Sequence, residues 1–446
     1  MSPWPQKVKF IGIFALIGIY NGNFYINLRV KNDFAMNLQL TAPARASASI
    51  ALPTSKSITN RALLIAALCG DQWQVLRPAL CDDSAAMVEA LAREGGGNIN
   101  VVAAGTAMRF LTAYYSTRQG TTVTLDGNER MRHRPIGPLV DALRSLGAHI
   151  EYAGTEGYPP LRIAGTSMHG GDITMPGGVS SQFISAVMMI LPVLDGGSIS
   201  LMGDIVSLPY IHMTAAVMRD MGADVDITGN RIIVGSGYQG TDYLVEGDWS
   251  AAAPWYAIAA LLPQSSLTLQ GLTADSIQGD AHLMELGRQL GIGTRFDASG
   301  ATLDTSHFIG CCCSAFTDMT STPDLVMSWT VLLCLLERSF RMTGVRTLRH
   351  KESDRIEALR EELLKLGYVL KIEGNDAISW YGEKVPVTTT PVIDSHGDHR
   401  IAMAFAPAAV RFPGLVIQDA EVVSKSYPGF WRHLQSAGFT VDKLAQ

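Results

Sequence analysis

The sequence predicts an α/β fold of two similar domains, each expected to contain three copies of one α/β unit. The first observation is a set of apolar segments, most of which open with Ser, Asp or Pro and then run for about three helical turns. This pattern is typical of capped helices that are buried on most sides. The six segments begin at Ser55, Ala104, Ser180, Asp248, Pro323 and Asp398.

Strands and second helices follow most of these segments. Short runs such as "TVTLDG", "SISLMGD", "SLTLQG" and "LVIQDA" are typical of strands. Stretches such as "PIGPLVDALRSLGAHIEY" and "RIEALREELLKLGYVLKI" then combine helical spacing of apolar residues with a Gly near the helix end and a further strand. Each unit therefore alternates strands and helices over roughly fifty to eighty residues, which is longer than a solenoid repeat.

Two junctions divide the chain, one after Pro53 in "ALPTSKS" and one around Gly247 in "LVEGDWS". We expect residues 54–247 to form the first domain, and residues 36–53 with 248–446 to form a discontinuous second domain. The polypeptide would then cross twice between the domains and form a double-crossover hinge. A cleft between two domains is a preferred site for ligands.

Residues 1–35 are expected to be an N-terminal extension outside the fold. Lys7 and Lys9 precede an apolar run at 10–20 that resembles a signal peptide but is too short to span a bilayer. No small-x-small cleavage site follows, and Met36 begins a stretch typical of the start of a domain. A misassigned start is therefore favoured over a signal or an anchor.

The composition is that of an ordinary globular protein, with 446 residues, 47% hydrophobic and 17% charged. The formal net charge of -6 argues against a general surface for nucleic acid or anionic membranes, although it is compatible with a local cationic cleft. The six cysteines include the adjacent residues 311–313 but no C-x-x-C pair, which indicates free thiols in a reducing compartment. We therefore expect a cytoplasmic protein without nucleic-acid or membrane partners.

The motif "SKSITNR" at 55–61 indicates an anion site at a helix start. Backbone N–H groups around Ser57 can bind phosphate or carboxylate oxygens, and Lys56 and Arg61 add full charge. Alternatively, Ser55 only caps the helix and both cations are solvated. Similar chemistry at other helix starts and loops favours a site for several anionic groups. These further candidates are Arg130, Arg132, Arg134, Ser180, Ser181, Gln182, Lys351, Arg355, Arg400 and Lys425.

From about Met36 to its C-terminus, the chain resembles the 5-enolpyruvylshikimate-3-phosphate synthase family, also called 3-phosphoshikimate 1-carboxyvinyltransferases. The resemblance rests on the motifs "LPTSKSITNRALLIAAL", "AGTAMRF", "RMRHRPIGPLVDAL", "SSQF", "VSLPY", "HKESDR" and "GDHRIAMA". It implies two inside-out α/β barrel domains, each of three βαβαββ units, in agreement with the repeats. It also implies enolpyruvyl transfer from phosphoenolpyruvate to the 5-hydroxyl of shikimate 3-phosphate in the shikimate pathway. No cofactor or metal is implied, and we expect a monomer.

The resemblance also assigns substrate contacts. By this resemblance, the residues that bind shikimate 3-phosphate are Lys56, Ser57, Arg61, Ser180, Ser181, Gln182, Ser207, Tyr210, Asp324 and Lys351. Those that bind phosphoenolpyruvate are Lys56, Gly105, Arg130, Gln182, Arg355, Arg400 and Lys425. Arginine suits this task because its planar guanidinium can donate two hydrogen bonds to one phosphate or carboxylate.

The implied catalytic residues are Lys56, Asp324, Lys351 and Glu352. Asp324 resembles the family carboxylate that binds the attacking hydroxyl, and Lys351 is expected to share proton transfer with it. Glu352 is expected to protonate the methylene carbon of phosphoenolpyruvate. A carboxylate among cations is normally ionised, so Glu352 must gain its proton through local desolvation or from a substrate. The sequence leaves the assignment of acid and base open.

Some positions depart from the family pattern. Thr54 replaces a common Gly, Ala103 stands where an Asn often begins the motif, and Phe110 replaces the usual Pro. Thr347 occupies a position where some members carry an Asn that contacts the shikimate phosphate. These departures put the affinity for phosphoenolpyruvate and the sensitivity to glyphosate in doubt. Activity is still expected because the cationic set is complete.

Two alternatives share the scaffold. The sibling family of UDP-N-acetylglucosamine enolpyruvyl transferases carries a catalytic Cys before its "RP" pair, whereas the loop "DGNERMRHRP" has none. A catalytically silent anion-binding protein is the other alternative. The carboxylates of Asp324 and Glu352 argue against it, because binding of anions alone would not require them.

A third alternative is a metallohydrolase based on "DSHGDHR". Asp394, His396, Asp398 and His399 could supply metal ligands at this spacing. Asp398 also fits the cap of the sixth apolar helix, and no second His or Cys cluster is spaced to complete a site. The metal site is therefore disfavoured.

Overall fold

The computed structural model of the chain describes residues 36–70, 73–93, 95–308 and 315–444. The expected extension at 1–35 and the adjacent cysteines at 311–313 lie outside the described residues. Within the described ranges, no helix is both long enough and apolar enough to cross a membrane.

The predicted helix starts are confirmed, and capping side chains explain several of them. Ser55, Ser180 and Asp248 each accept a hydrogen bond from a backbone N–H of the following turn. The α-helices are α1 (Lys56–Cys69), α2 (Asp82–Leu91), α3 (Gly105–Ser116), α4 (Glu129–Arg132), α5 (Gly137–Ser145), α6 (Ser181–Ile190), α7 (Leu208–Asp220), α8 (Trp249–Leu261), α9 (Leu283–Gln289), α10 (Val326–Leu335), α11 (Arg355–Lys365), α12 (His399–Phe405) and α13 (Phe430–Ser436). The 3-10 helices are Leu191–Leu194, Gly279–His282, Pro323–Leu325, Arg346–His350, Ala406–Val410 and Ala420–Lys425.

The apolar helices are buried on nearly all sides, as their sequences predict. In α8 every residue except Ser250 is buried, and in α10 every residue except Ser328 is buried. The amphipathic α11 instead buries one face and exposes the other. The interior of the molecule is therefore filled by helices.

The strands are short, and many alternate buried and exposed residues, as strands with one covered face do. The strands are β1 (Leu38–Thr41), β2 (Ser47–Ala51), β3 (Val75–Leu76), β4 (Gly97–Asn100), β5 (Thr122–Asp126), β6 (His149–Tyr152), β7 (Leu161–Ala164), β8 (Asp172–Pro176), β9 (Gly197–Met202), β10 (Val225–Thr228), β11 (Arg231–Val234), β12 (Tyr243–Leu244), β13 (Ser266–Gln270), β14 (Gly293–Asp297), β15 (Gly300–Asp304), β16 (Ala315–Asp318), β17 (Phe340–Thr343), β18 (Lys371–Glu373), β19 (Ala377–Trp380), β20 (Val392–Ile393), β21 (Leu415–Ile417) and β22 (Thr440–Lys443).

Five four-stranded sheets in the described residues share one strand order. In one of them, β5 pairs in parallel with β4 and antiparallel with β7, and β7 pairs antiparallel with β6. The five orders are β4-β5-β7-β6, β8-β9-β11-β10, β2-β13-β15-β14, β16-β17-β19-β18 and β20-β21-β1-β22. In the sheets of β4–β7, β8–β11 and β16–β19, the strands and helices follow one another along the chain as in a βαβαββ unit. The predicted α/β class is therefore confirmed.

A sixth sheet contains only β3 and β12, paired in parallel, within the described residues. The two N-terminal strands complete sheets of the C-terminal half: β1 lies between β21 and β22, and β2 pairs in parallel with β13. In the part of the chain that the structure describes, the sheets stay separate and none closes into a barrel.

Buried apolar side chains form two separate clusters. One cluster draws on residues between Ile58 and Val245, and we call residues 58–245 the first lobe. The other cluster draws on residues 38–52 and 249–439, which we call the second lobe. The N-terminal strands thus share a core with the C-terminal half of the chain.

The two connections between the lobes run side by side. The backbone N–H of Ser55 donates to the carbonyl of Glu246 at 2.8 Å, and the N–H of Asp248 donates to the carbonyl of Pro53 at 2.8 Å. Each connection therefore satisfies the backbone groups of the other.

Gly247 lies in the second connection, where it forms an isolated antiparallel bridge with Thr54. A Cβ at this position would lie 2.5 Å from the carbonyl oxygen of Gly271. Since that contact is with backbone, a side chain would have to displace the crossing itself.

The substitution Gly247→Ala is expected to lower the free energy of unfolding by about 1–3 kcal/mol, because overpacking displaces the crossing. Denaturant unfolding followed by circular dichroism measures this change. Gly171→Ala is the matched control, since a Cβ there meets no heavy atom within 4 Å. Equal stability of the two variants would contradict the tight crossing.

Candidate active site

The candidate site is a cavity of about 270 Å³ that is lined by both lobes. The N-terminal turns of α1 and α6 line it from the first lobe, and those of α11 and α12 line it from the second. Helix N-termini carry free N–H groups and partial positive charge, so this arrangement favours anions. The predicted site residues that line it are Lys56, Ser57, Arg61, Ser180, Ser181, Gln182, Ser207, Tyr210, Asp324, Lys351, Glu352, Arg355 and Arg400.

Three of the residues assigned to the substrates do not line the cavity. Lys425 Nζ lies 3.4 Å from Glu352 Oε1, so it borders the cavity through that carboxylate. Arg130 donates to the backbone carbonyl of Glu352 at 3.2 Å. Gly105 lies under Arg134, whose Nη1 would be 2.5 Å from a Cβ at position 105. The glycine therefore makes room for a guanidinium that does line the cavity.

Hydrogen bonds close to the cavity join the two lobes. Lys425 donates to the carbonyl of Ala103 at 2.9 Å, and Ser424 donates to Asp82 at 2.6 Å. The Ser207 backbone N–H donates to the carbonyl of Thr320 at 3.0 Å. The cavity is thus enclosed by direct hydrogen bonds between the lobes.

Arg355 organises the acidic side of the cavity. Its guanidinium is only 2% exposed and donates to Asp398 at 2.8 Å, Glu352 at 2.9 Å and Asp324 at 3.0 Å. Burial alone would lower the pKa of Arg355, but Asp398, Glu352 and Asp324 outweigh it and raise the pKa above its ordinary value. Arg355 is therefore always charged.

Asp324 is surrounded by three cations, Lys351, Arg355 and Arg400. Arg400 donates to it at 2.8 Å, and Lys351 Nζ lies 3.8 Å away. Burial would raise the pKa of Asp324, but Arg400, Lys351 and Arg355 hold it well below its usual range. Asp324 is thus ionised and can accept a hydrogen bond from a substrate hydroxyl.

The pKa values of Lys351 and Glu352 are both lowered, but for different reasons. Burial lowers the pKa of Lys351, and the nearby carboxylate of Asp324 offsets this only in part. For Glu352, burial would raise the pKa, but the cations of Lys425, Arg355 and Arg134 hold it well below its ordinary value. Lys351 therefore releases a proton more readily than a free lysine, whereas Glu352 is ionised in this structure.

Lys56 is paired with Asp83, a carboxylate that the sequence did not single out. The two side chains are 2.9 Å apart, and both are largely buried. Burial would lower the pKa of Lys56, but Asp83 and, more weakly, Glu352 raise it overall. The lysine is therefore held charged at the start of α1.

Arg61 is enclosed by protein acceptors. It donates to the hydroxyl of Thr214 at 2.7 Å and to the carbonyl of Ser57 at 2.8 Å. Its guanidinium also stacks on Phe110, with 5.4 Å between the guanidinium carbon and the ring centroid. Burial lowers the pKa of Arg61 to about 10. Phe110, one of the departures from the family pattern, therefore supports a cation of the cavity wall.

The structure also places the three other residues that depart from the family pattern. Ala103 contributes its backbone carbonyl to the contact with Lys425, so the missing side-chain amide leaves this contact intact. Thr347 lines the cavity. Thr54 lies in the connection between the lobes.

Further residues line the cavity beyond those assigned to the substrates and to catalysis. Arg134, a predicted cation of the anion site, is buried there, as is Arg109 from the motif "AGTAMRF". Arg132, also a predicted cation, instead pairs with Asp126, and its side chain is 52% exposed. Asp83 lay within none of the motifs that carried the family resemblance.

His399 is buried, and neither of its ring nitrogens has a hydrogen-bond partner in the described residues. Burial and the charges of Lys56 and Arg400 hold the pKa of His399 well below its ordinary value, so this imidazole is neutral.

The residues proposed as metal ligands do not come together. His396 contacts Glu362 at 2.8 Å, whereas Asp398 caps α12 and pairs with Arg355. In the described residues, the one group with ligand atoms close enough for a metal is Glu361, Glu362 and His396, and it includes neither Asp394 nor His399. Lys365 donates to both oxygens of Glu362. The metallohydrolase set "Asp394, His396, Asp398, His399" is therefore not supported.

Comparison with known proteins identifies the family of the chain. The family model described as EPSP synthase (3-phosphoshikimate 1-carboxyvinyltransferase) matches residues 40–101 and 94–434. A 3-phosphoshikimate 1-carboxyvinyltransferase of Bacteroides fragilis (strain YCH46) is 47% identical over 410 residues, covering 91% of this chain and 99% of the relative. The protein of that name from Syntrophobacter fumaroxidans is 36% identical over 412 residues, covering 86% of this chain and 95% of the relative.

Solved structures agree with the fold. A 2.37 Å structure of EPSP synthase from Acinetobacter baumannii superposes with a TM-score of 0.69 at 22% sequence identity. The match covers 92% of this chain and 100% of that chain. This structure shows the fold, and the family model and the relatives establish that the chain belongs to the EPSP synthase (3-phosphoshikimate 1-carboxyvinyltransferase) family.

Proposed function

We propose that the chain transfers the enolpyruvyl group of phosphoenolpyruvate to the 5-hydroxyl of shikimate 3-phosphate and releases phosphate. The observation that carries this proposal is the composition of the cavity, which combines cations and helix N-termini from both lobes with the carboxylates of Asp324 and Glu352. The cations suit two anionic substrates, and the carboxylates suit proton transfer. In the shikimate pathway this reaction leads to chorismate and the aromatic amino acids.

Shikimate 3-phosphate is proposed to lie against the first lobe and the carboxylate of Asp324. Serine hydroxyls and N–H groups at the start of α6 suit its phosphate. The proposed contacts are Lys56, Ser57, Arg61, Ser180, Ser181, Gln182, Ser207, Tyr210, Asp324 and Lys351. Phosphoenolpyruvate is proposed to lie beside it, in contact with Lys56, Gly105, Arg130, Gln182, Arg355, Arg400 and Lys425.

In the proposed addition step, the 5-hydroxyl oxygen bonds to C2 of phosphoenolpyruvate while its methylene carbon gains a proton. Asp324 accepts a hydrogen bond from the hydroxyl and orients it, and the proton is transferred through Lys351, whose lowered pKa lets it exchange a proton. In the elimination step, the new methyl group loses a proton as the C2–phosphate bond breaks. Phosphate then leaves with the proton that balances the reaction.

Glu352 is proposed to give and take the proton at the methylene carbon. In this structure the cations of Lys425, Arg355 and Arg134 hold its pKa low. The phosphate and carboxylate of phosphoenolpyruvate would pair with two of these cations, Lys425 and Arg355, and weaken their effect on Glu352. Its pKa would then rise towards the value that an acid needs.

The activity itself is tested by phosphate release from phosphoenolpyruvate with shikimate 3-phosphate as acceptor. Lys56→Ala is expected to lower kcat/KM by about 100-fold or more, because charge-assisted hydrogen bonds to two anions are lost. Lys371→Ala, a change at the surface of β18, is the matched control and should keep the full rate. No release by a folded wild-type protein would contradict the proposed reaction.

Glu352→Gln is expected to lower kcat by about 10²–10⁴-fold with little change in either KM, because the amide preserves shape but cannot transfer a proton. Steady-state phosphate release gives both constants. Glu357→Gln is the control, since this carboxylate is exposed and pairs with Arg360. A normal kcat for Glu352→Gln would show that another group protonates the methylene carbon.

The reaction is proposed to need no metal or cofactor. Dialysis against EDTA should leave the rate of phosphate release unchanged, because every proposed step uses side chains of this chain. Metal analysis of the dialysed protein is the control. A loss of activity that zinc or manganese restores would instead favour the metal-dependent alternative.

We propose that residues 54–247 form one domain and that residues 36–53 with 248–446 form the other. The two separate apolar cores and the paired connections between them support this division. The shared cavity then lies at the boundary of the two domains.

The chain is also proposed to act as a monomer in the cytoplasm, without nucleic-acid or membrane partners. The net charge of -6 supports the lack of nucleic-acid binding. Cys69, Cys81 and Cys334 are free, as in a reducing compartment. Size-exclusion chromatography with light scattering tests the monomer directly.

A further inference from the structure

The hydroxyl of Tyr210 bridges the lobes between two carboxylates. Its oxygen lies 3.2 Å from Asp324 Oδ2 and 3.3 Å from Asp280 Oδ1. Tyr210 belongs to α7 in the first lobe, whereas Asp280 lies in the 3-10 helix Gly279–His282 of the second lobe. Asp280 is only 2% exposed, and the sequence motifs did not include it.

If Asp280 and Asp324 are both ionised, there are too few protons to form both hydrogen bonds with the Tyr210 hydroxyl. Tyr210 has one hydroxyl proton, and an ionised carboxylate can only accept. One of the two oxygen pairs would then face each other with no proton between them, in a buried place where such a contact is costly. A further proton on one carboxylate satisfies both contacts.

Asp280 is the better place for that proton. Asp324 is paired with Arg400 and Arg355 and is therefore held ionised. Asp280 has no ion pair in the described part of the chain, and its second oxygen accepts from the hydroxyl of Ser250. A protonated Asp280 would therefore use its free oxygen to donate and the other to accept.

We propose that Asp280 carries a proton and acts as a positioning residue, donating to the Tyr210 hydroxyl so that this hydroxyl donates to Asp324. Asp280 in the second lobe would then donate to Tyr210 in the first lobe, and Tyr210 would donate back to Asp324 in the second lobe. The inference rests on the proposed function in taking Asp324 as the group that binds the acceptor hydroxyl. The role of Asp280 is then to orient Tyr210, a proposed substrate-binding residue, across the cavity.

The surroundings of Asp280 agree with this assignment. Burial, then the charge of Asp324, raises the pKa of Asp280 to about 6, and Arg400 opposes this only in part. Asp248, which caps α8, adds a smaller repulsion that also raises the pKa of Asp280. The charged residues of the neighbouring α9, Glu285 and Arg288, pair with each other at the surface.

The pH dependence follows from the direction of that shift. Below a pH of about 6, Asp280 keeps its proton and the Tyr210 hydroxyl is directed to Asp324. As the pH rises through this value, Asp280 ionises and the two carboxylates compete for one hydroxyl proton. Burial and both carboxylates raise the pKa of Tyr210 well above its ordinary value, so the tyrosine itself stays protonated. The competent form is therefore lost as the pH rises.

The kinetic test compares the KM for shikimate 3-phosphate in the wild type and in Asp280→Asn. The wild-type KM should rise about fivefold between about pH 5 and about pH 8, the effect of one lost hydrogen bond. Asp280→Asn should keep the low KM throughout, because its amide N–H donates to Tyr210 at every pH. Asp275→Asn, an exposed change on the preceding segment, should follow the wild type. Identical profiles for the wild type and Asp280→Asn would overturn the proposal.

Infrared spectroscopy tests the proton without any need for turnover. The difference spectrum of wild type minus Asp280→Asn should contain the carbonyl stretch of a protonated carboxylic acid, which should disappear as the pH rises through about 6. If Asp280→Asn does not fold, Tyr210→Phe should shift the same band, because it removes the acceptor of the proton. Absence of the band at all pH values would overturn the proposal. If the band is present but the folded protein has no transfer activity, the proton on Asp280 is supported and the proposed function is refuted.

Discussion

The site depends on one buried guanidinium, that of Arg355. It connects the cap of α12 at Asp398, the 3-10 turn that carries Asp324, and Glu352 on the segment just before α11. These carboxylates come from three separate parts of the second lobe, so one side chain fixes their relative positions. Removing it would leave Asp398 buried without a cationic partner among the described residues, and breaking one buried pair costs about 3–5 kcal/mol.

The same cluster explains how so many cations can share one cavity. Each lobe brings positive charge to the cavity through helix N-termini, lysines and arginines, and these groups would repel one another if left alone. Asp83 balances Lys56 in the first lobe, while Asp324 balances Arg400 in the second. A substrate anion entering the cavity therefore competes with carboxylates that the protein already provides. This competition makes the protonation of the site sensitive to its occupant.

Much of the fold could be predicted because each apolar helix is buried on nearly all sides, which leaves a strong and repeated pattern in the sequence. Strand order could not be predicted, since the placing of β1 between β21 and β22 depends on partners almost four hundred residues away. In the site, the cations at helix starts could be predicted because the capping motif beside them is visible in the local sequence. Asp83 and Asp280 could not be predicted, because what makes them important is a partner brought close only by folding.

Under the proposed function, substrate charge also determines when Glu352 can act as an acid. In the structure it is a counter-ion, shared among Arg355, Lys425 and Arg134. Only a ligand that takes over those cations can return Glu352 to a pKa at which it holds a proton. Phosphoenolpyruvate carries both a phosphate and a carboxylate, so it can take over more than one of them at once. Phosphoenolpyruvate, whose methylene carbon must be protonated, would thus bring the negative charges that raise the pKa of Glu352. A neutral analogue of the same shape would not raise it.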